Sequence, residues 1–475
     1  MSPNSGLTPC ILCLSEEYLT NMDKYQSSLV TRGASTKMAY IWSPTNKFKL
    51  WRKLWLELAR GQHKLGLPVS EKQVQALEDA IDKPWCEIKA ARLESELHHD
   101  VMTHIKLFGD QAPISKGIIH LGATSQFVVD NADSMCVKES LSHILCSLKS
   151  LIIKIGEFAV SNKDVVTLGL THFQPAQPTT VGKRASVWAY DLYLTYEYLK
   201  DKQAKLKARG IKGATGTQAS FLELFDGDHD KVDELDHMIC SSIGFDNTYM
   251  VTGQVYPRID DAILISLLTA VGAGCQKIAT DIRLLAGKKE LAEGFGANQV
   301  GSSAMPYKRN PLYCERVCGL AKLMPGLATS AMATASEQWL ERSLDDSSIR
   351  RIVLPESHLA IDAILCTMHK IFDSLVVNKE EISANLKQER ALLMTETILM
   401  IAVKHGIDRQ QFHEKIRQCT LEHNGGELLD KLYESPELGD LNLKDRFKHG
   451  ISMTGRAAEQ TEKFYESIVR PLQAE

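Results

Sequence analysis

At 475 residues, 44% apolar and 24% charged, the chain has an ordinary globular composition and length for roughly two to four domains. A net charge of −4 and a pI near 6.4 give no global reason to expect nucleic-acid binding. No apolar run is expected to reach membrane-spanning length. The eleven cysteines, odd in number and scattered through helical patterns, read as reduced thiols of a cytoplasmic protein.

The first 35 residues or so are polar and weakly patterned, with no basic flank or long apolar stretch of the signal-peptide kind. Cys10 and Cys13 form a CxxC without a second pair, a weak metal or redox signal. From Lys47 the pattern turns helical: Phe48, Trp51, Leu54, Trp55 and Leu58 recur at spacings of three and four. Gly66 and Pro68 end that helix, and Ser70 with Gln73 reads as the capping box of the next. A single helix is expected over 84–108. Its His98-His99-Asp100 and His104 lack an HExxH-type frame, so no metal site is assigned there.

After IIHLGATS (118–125), Asp130-Asn131 is expected to cap a long helix with an inner stripe of Val137, Leu141, Ile144, Leu148, Leu151, Ile155 and Phe158. Residues 167–180, TLGLTHFQPAQPTT, read as a loop with two prolines and His172. The rhythm resumes at Val181, Ala185, Trp188, Leu192 and Leu199. A glycine- and threonine-rich loop follows at 210–227. After Pro257 a long proline-free helix is expected to bury Ile259, Ile263, Leu267, Val271, Gly274, Ile278, Ile282 and Leu285. Gly272 and Gly274 are read as letting neighbouring backbones approach. Residues 293–311 (EGFGANQV then GSSAMPYKRNP) read as a mobile segment, made flexible by Gly294, Gly296 and Gly301. Helices are expected again from Pro311, interrupted at Pro325, and over 356–375. The tail reads as shorter helices broken by Gly406, Gly425-Gly426, Pro436 and Gly439. Four or five long helices with heptad stripes and little strand alternation make an all-α protein. A bundle that long is expected to bury its faces against copies of itself.

Three helix-interrupting segments concentrate hydroxyl, imidazole and amide groups: 120–125, 167–180 and 293–311. A hydroxyl beside a cation on a loop suits proton abstraction next to a carboxylate, with the lysine holding the anion. On composition alone 301–311 is equally a basic surface loop.

The sequence SSAMPYKRNP resembles the signature of the fumarase/aspartase superfamily, in the wording of its adenylosuccinate lyase branch. IIHLGATS and THFQPAQ resemble the other two superfamily segments in the same order, and the resemblance spans about 25–456. It implies a three-domain all-α fold (1–123, a central long-helix bundle at 124–377, and 378–475). It also implies a homotetramer whose active sites are built by three subunits, with no metal or organic cofactor. The implied reaction eliminates fumarate from nucleotide substrates, adenylosuccinate and the succinyl-carboxamide ribonucleotide SAICAR. Residue by residue, Ser302 matches the general base, His172 the general acid and Glu315 its acidic partner. Lys308 and Asn310 would hold the substrate carboxylate, with Thr124, Ser125 and Thr171 donating to the succinyl group. Arg32, His99, Asp100, Gln254, Arg316, Arg342, Ser347 and Arg351 match nucleotide-binding positions, where arginine's fork suits phosphate. Two positions depart from the pattern. The family's arginine-tyrosine pair reads Arg32-Gly33, and its Arg-His-Asp triplet reads His98-His99-Asp100, a titratable group for a fixed cation.

Overall fold

The computed structural model describes residues 25–296, 298–423, 425–438, 443 and 453–474. Cys10, Cys13, the rest of the N-terminal 1–24 stretch and Gly439 lie outside the described residues.

Three helices open the described chain: α1 (Ser28–Arg32), α2 (Thr36–Ile41) and α3 (Pro44–Lys64). The last begins where Ser43 accepts from the Asn46 amide and Pro44 fills the first turn, and it stops before Gly66 at φ +87°. α4 (Glu71–Glu78) starts with the expected reciprocal capping box between Ser70 and Gln73. The single helix expected over 84–108 is instead two, α5 (Glu87–Leu97) and α6 (Asp100–Gln111). His98 turns left-handed (φ 49°), and the His99 ring caps α6 by accepting from the Met102 amide. This local side-chain bond overrides the apolar periodicity.

α7 (Ser125–Ser161) begins after Thr124. Asp130 and Asn131 therefore lie inside it, fully buried, and do not cap it. The 167–180 segment is a hairpin rather than a loop, β1 (Val166–Thr171) pairing antiparallel with β2 (Gln174–Thr180). Its two prolines are tolerated because a two-stranded ribbon leaves edge positions without ladder bonds. α8 (Val181–Ala204) follows. The glycine-rich stretch contains α9 (Ala219–Leu224), and α10 (His229–Ser242) leads on to α11 (Ile259–Gly287). β3 (Leu291–Ala292) pairs with the later β4 (Val376–Val377). Between them run α12 (Leu312–Ala321), α13 (Met324–Ser336) with Pro325 in its first turn, and α14 (Asp345–Ser374). α14 starts well before the expected Glu356 and carries Pro355 inside it. The tail holds α15 (Lys379–Lys404), longer than expected, then α16 (Arg409–Glu422) and α17 (Gly425–Tyr433).

The chain belongs to the all-α class, and its main core is the seam among α7, α8, α11, α12, α13 and α14. The α7 stripe is buried from Val137 to Ile155, with Phe158 half-buried. It meets Ala185, Trp188, Leu192 and Leu199 of α8. On α11 the expected stripe is buried at Val271, Ile278, Ile282 and Leu285, but its first turns differ. Ile259 and Ile263 are about half exposed, while Ala262, Ile265 and Leu268 face inward, because the buried Asp261 fixes the rotation of the first turns. Side chains rather than backbones approach the α11 glycines: a Cβ at Gly274 would lie 2.9 Å from Leu192 Cδ2. Contrary to expectation, α11 is long and apolar enough to cross a membrane by length and composition. Its alanines and glycines keep charges out of the window, and half of that window is buried in the core.

A second cluster joins Trp51, Trp55, Leu77, Phe108 and Phe127 to a distant stretch that includes Phe221, Leu235 and Phe245. A third lies among α15, α16 and α17, with Met394, Ile398, Phe412 and Leu432. The terminal run Ala457–Phe464, Tyr465–Val469 and Arg470–Ala474 returns to the central seam, where Val469 fills the space that Gly156 leaves.

Candidate active site

Where α7, α11 and α14 meet, five charged side chains are buried together. Asp130 accepts from Arg258 Nη2 at 2.9 Å, from Arg350 Nη1 at 3.2 Å and from the Tyr256 amide at 3.1 Å. Arg258 also grips Asp346 (2.9 Å), and Arg350 grips Asp261 (2.8 Å) and the Tyr256 hydroxyl (2.6 Å). Burial works against the Asp130 carboxylate, but Arg258, Arg350 and Arg209 outweigh it and hold its pKa below the usual range.

This network is the floor of a cleft of about 250 Å³ lined by Lys47, Gln126, Asp133, Arg342, Ser347 and Arg351, among others. Arg342 Nη1 donates to Gln254 Oε1 (2.9 Å), and Gln254 Nε2 donates to Thr124 Oγ1 (3.2 Å). With its amide oriented to satisfy both ends, Gln126 accepts from Arg342 and donates to Asp130 at 3.1 Å. Arg342 is thus held from the floor upward, with its Nε buried and without a hydrogen-bond partner. Arg351 Nη2 donates to Asp100 Oδ2 at 2.8 Å across the cleft mouth. Burial opposes the Asp100 charge, yet Arg351 and Lys47 keep its pKa low. Ser125 is half-buried at the start of α7, and His99 stands just before Asp100. Six expected positions therefore converge here: Asp100, Thr124, Gln254, Arg342, Ser347 and Arg351. Arg32 does not join them. It ends α1 in an exposed position and, among the described residues, makes no hydrogen bond or ion pair with the cleft.

His172 stands elsewhere, exposed at the tip of the β1–β2 hairpin. It and Phe173 both have positive φ (52° and 60°), the backbone of a primed two-residue turn, which is strained for non-glycine residues. Thr171 and Phe173 border a cavity of about 930 Å³ with Lys183, Arg184, Lys277 and Asp281. The base of the hairpin is fixed from within: Thr167 Oγ1 donates to the buried Glu290 (2.9 Å), which also accepts from Asn385 (2.9 Å).

The 293–311 segment forms a third location. Ser302 Oγ accepts from two backbone amides, those of Met305 (3.1 Å) and Ala304 (3.3 Å). Asn310 Nδ2 donates to the Gly301 carbonyl (3.0 Å) and closes the base of the loop. Lys308 is exposed. Gly294 and Gly301 are sites of close packing rather than the flexible joints expected: a Cβ at 294 would strike Ser374, and one at 301 the Lys308 carbonyl. Glu293 accepts from the Tyr313 and Cys314 amides (3.1 and 2.6 Å), capping α12 across the loop. Glu315 is exposed in the first turn of α12, and Arg316 lies over the Tyr313 ring. Among the described residues, no hydrogen bond joins His172 to Ser302, Lys308 or Glu315 within one chain.

Gln126, Asp346 and Glu293 escaped the sequence reading. Gln126 is adjacent to the Thr124-Ser125 segment and one turn before Asp130, a usable signal. Glu293 caps a helix that starts across an irregular loop, which no spacing announces.

Residues 38–326 match the family model described as a lyase, which together with the helical bundle sets the class of protein. The chain is 42% identical to the adenylosuccinate lyase of Saccharomyces cerevisiae over 464 residues, 95% of this chain and 96% of that protein. It is 41% identical to that of Schistosoma mansoni (95% and 96%), and 32% identical to that of Pyrococcus abyssi (86% and 89%). It belongs to the adenylosuccinate lyase family. The fold is also that of a 3-carboxy-cis,cis-muconate lactonizing enzyme from Pseudomonas putida (TM-score 0.82, 20% identity, 94% of this chain and 100% of the other).

Proposed function

We propose that the chain is a carbon–nitrogen lyase that releases fumarate from adenylosuccinate, leaving AMP, and from SAICAR, leaving AICAR. Ser302 removes the proton from the carbon beside the substrate carboxylate. Lys308 and Asn310 hold that carboxylate as the carbanion forms, and His172, oriented by Glu315, protonates the departing nitrogen. The nucleotide end takes Arg342, Ser347 and Arg351 in the cleft. The carboxylate is itself the electron sink, so no metal or organic cofactor enters the scheme.

The observation that carries this reading is the seat of Ser302. A serine hydroxyl is a poor base until its anion is stabilised, and two converging backbone N–H groups do that without moving during the reaction. His172 and Ser302 of one chain then serve different sites, with three subunits of a homotetramer completing each one. The apolar face Val187, Tyr190, Leu194 and Tyr198, left exposed on α8, and Ile259 and Ile263 on α11 supply surface for that assembly. The setting is the cytoplasm, in keeping with the free thiols. The division into 1–123, 124–377 and 378–475 goes with this reading.

The test is fumarate release from both substrates by the wild type, Ser302→Ala and His172→Ala. Each variant should lose about 10²–10⁴-fold in kcat while light scattering still shows the oligomer. Turnover near wild type in either one removes that residue from its role.

A further inference from the structure

Lys47 belongs to the cleft beside α14, although neither the motifs nor the resemblance points to it. It sits in the first turns of α3, and its ammonium lines the cavity with Gln126, Arg342, Ser347 and Arg351. The Trp51 and Phe48 rings fix its place, 4.7 and 5.2 Å from Nζ. Its nearest carboxylate oxygen, Asp100 Oδ2, is 3.9 Å away and already takes the stronger bond from Arg351 at 2.8 Å. One carboxylate serves two cations.

The other carboxylates give little relief. Asp130, Asp261 and Asp346 lie in the floor, engaged by Arg258 and Arg350, and Asp133 is paired with Arg350 at 3.1 Å. Arg342 is drawn to Asp346 at 3.5 Å, so at the rim Lys47 and Arg351 share Asp100 alone and are left with excess positive charge. Burial and then Arg351 lower the Lys47 pKa despite Asp100, Asp133 and Glu94, as expected of an ammonium short of counter-charge. A dianion in the cleft would supply it.

We propose that Lys47 is a substrate-binding residue whose ammonium takes a terminal phosphate oxygen of a nucleoside 5′-monophosphate, beside Ser347 and Arg351. This rests on the cleft receiving the nucleotide end of the substrate. Arginine and lysine then divide the work: Arg351 presents a directed fork at the rim, and Lys47 a point charge from the opposite wall.

Calorimetric binding of AMP and of adenosine to the wild type, Lys47→Met and Lys47→Arg tests this. The wild type should prefer AMP. Lys47→Met should lose about tenfold in AMP affinity with adenosine binding unchanged, and Lys47→Arg should keep most of it. If Lys47→Met melts below the wild type, Lys47→Gln supplies the same comparison. Equal losses for AMP and adenosine, or an AMP affinity within about twofold of wild type, overturn the assignment. Equal binding of AMP and adenosine by the wild type overturns instead the reading of the cleft on which it rests.

Discussion

Replacing Asp130 by Asn removes one negative charge from the buried network without changing its shape. Asp130 is fully buried and accepts from Arg258, Arg350 and the Tyr256 amide. After the change Arg258 keeps only Asp346 and Arg350 keeps Asp261 and Asp133 as charged partners, and with Oδ1 still turned to both guanidiniums the new amide N–H₂ faces the Tyr256 N–H donor. Breaking a buried pair by removing one partner costs about 3–5 kcal/mol. With an unfolding entropy of about 2.1 cal/mol/K per residue over 475 residues, each kcal/mol is worth about 1 °C, so the melt should fall by about 3–5 °C. Gln126 keeps Oδ1 of the new side chain as its acceptor, so Arg342 stays held and KM should change little while the melt falls. The assay is calorimetric melting at pH 7 and fixed protein concentration, with fumarate release alongside. A single variant melting within about 1 °C of wild type would refute the claim that these charges tie α7, α11 and α14 together.

Gly301→Ala drives a methyl into the Lys308 carbonyl and should displace Ser302, cutting kcat by about 10²-fold with little change in the melt. Activity within about threefold of wild type would contradict that. Restoring the family tyrosine by Gly33→Tyr should lower stability by about 1–3 kcal/mol, since a Cβ there lies 2.8 Å from Ala363 Cβ; an unchanged melt in denaturant would show that α1 yields freely. His358 and His104 have pKa values pushed down to about 4, chiefly by burial, so both are neutral when folded. Their contribution is complete above the unfolded pKa of about 6.5 and is lost as pH falls toward about 4. Stability should therefore fall across that window, and less steeply in His358→Gln; identical slopes would remove His358 from the account.

The bundle was legible because heptad spacing survives any register of packing: the α7 and α8 stripes are buried as their sequence demands. The start of the α11 stripe, Ile259 and Ile263, was misread because a buried acid, Asp261, turns the first turns, and charge pairing at a distance of 89 residues leaves no periodic trace. His98-His99 hid a helix break because the capping imidazole is a local bond that apolar spacing cannot register. The hairpin around His172 was hidden by its prolines, which read as loop when strand edges are not in view. The cleft residues Thr124, Gln254, Arg342 and Arg351 were found through their motifs. Lys47 and Asp346 were not, because their meaning lies in which charges they face.

Pro355 has no N–H to offer the Arg351 carbonyl, so α14 lacks one rung between its arginine-bearing start and the apolar length that fills the bundle. Exchanging side chains at 347 or 351 therefore need not propagate into Ile361 or Ile364. Selection can retune what the cleft accepts while leaving the scaffold beneath it undisturbed.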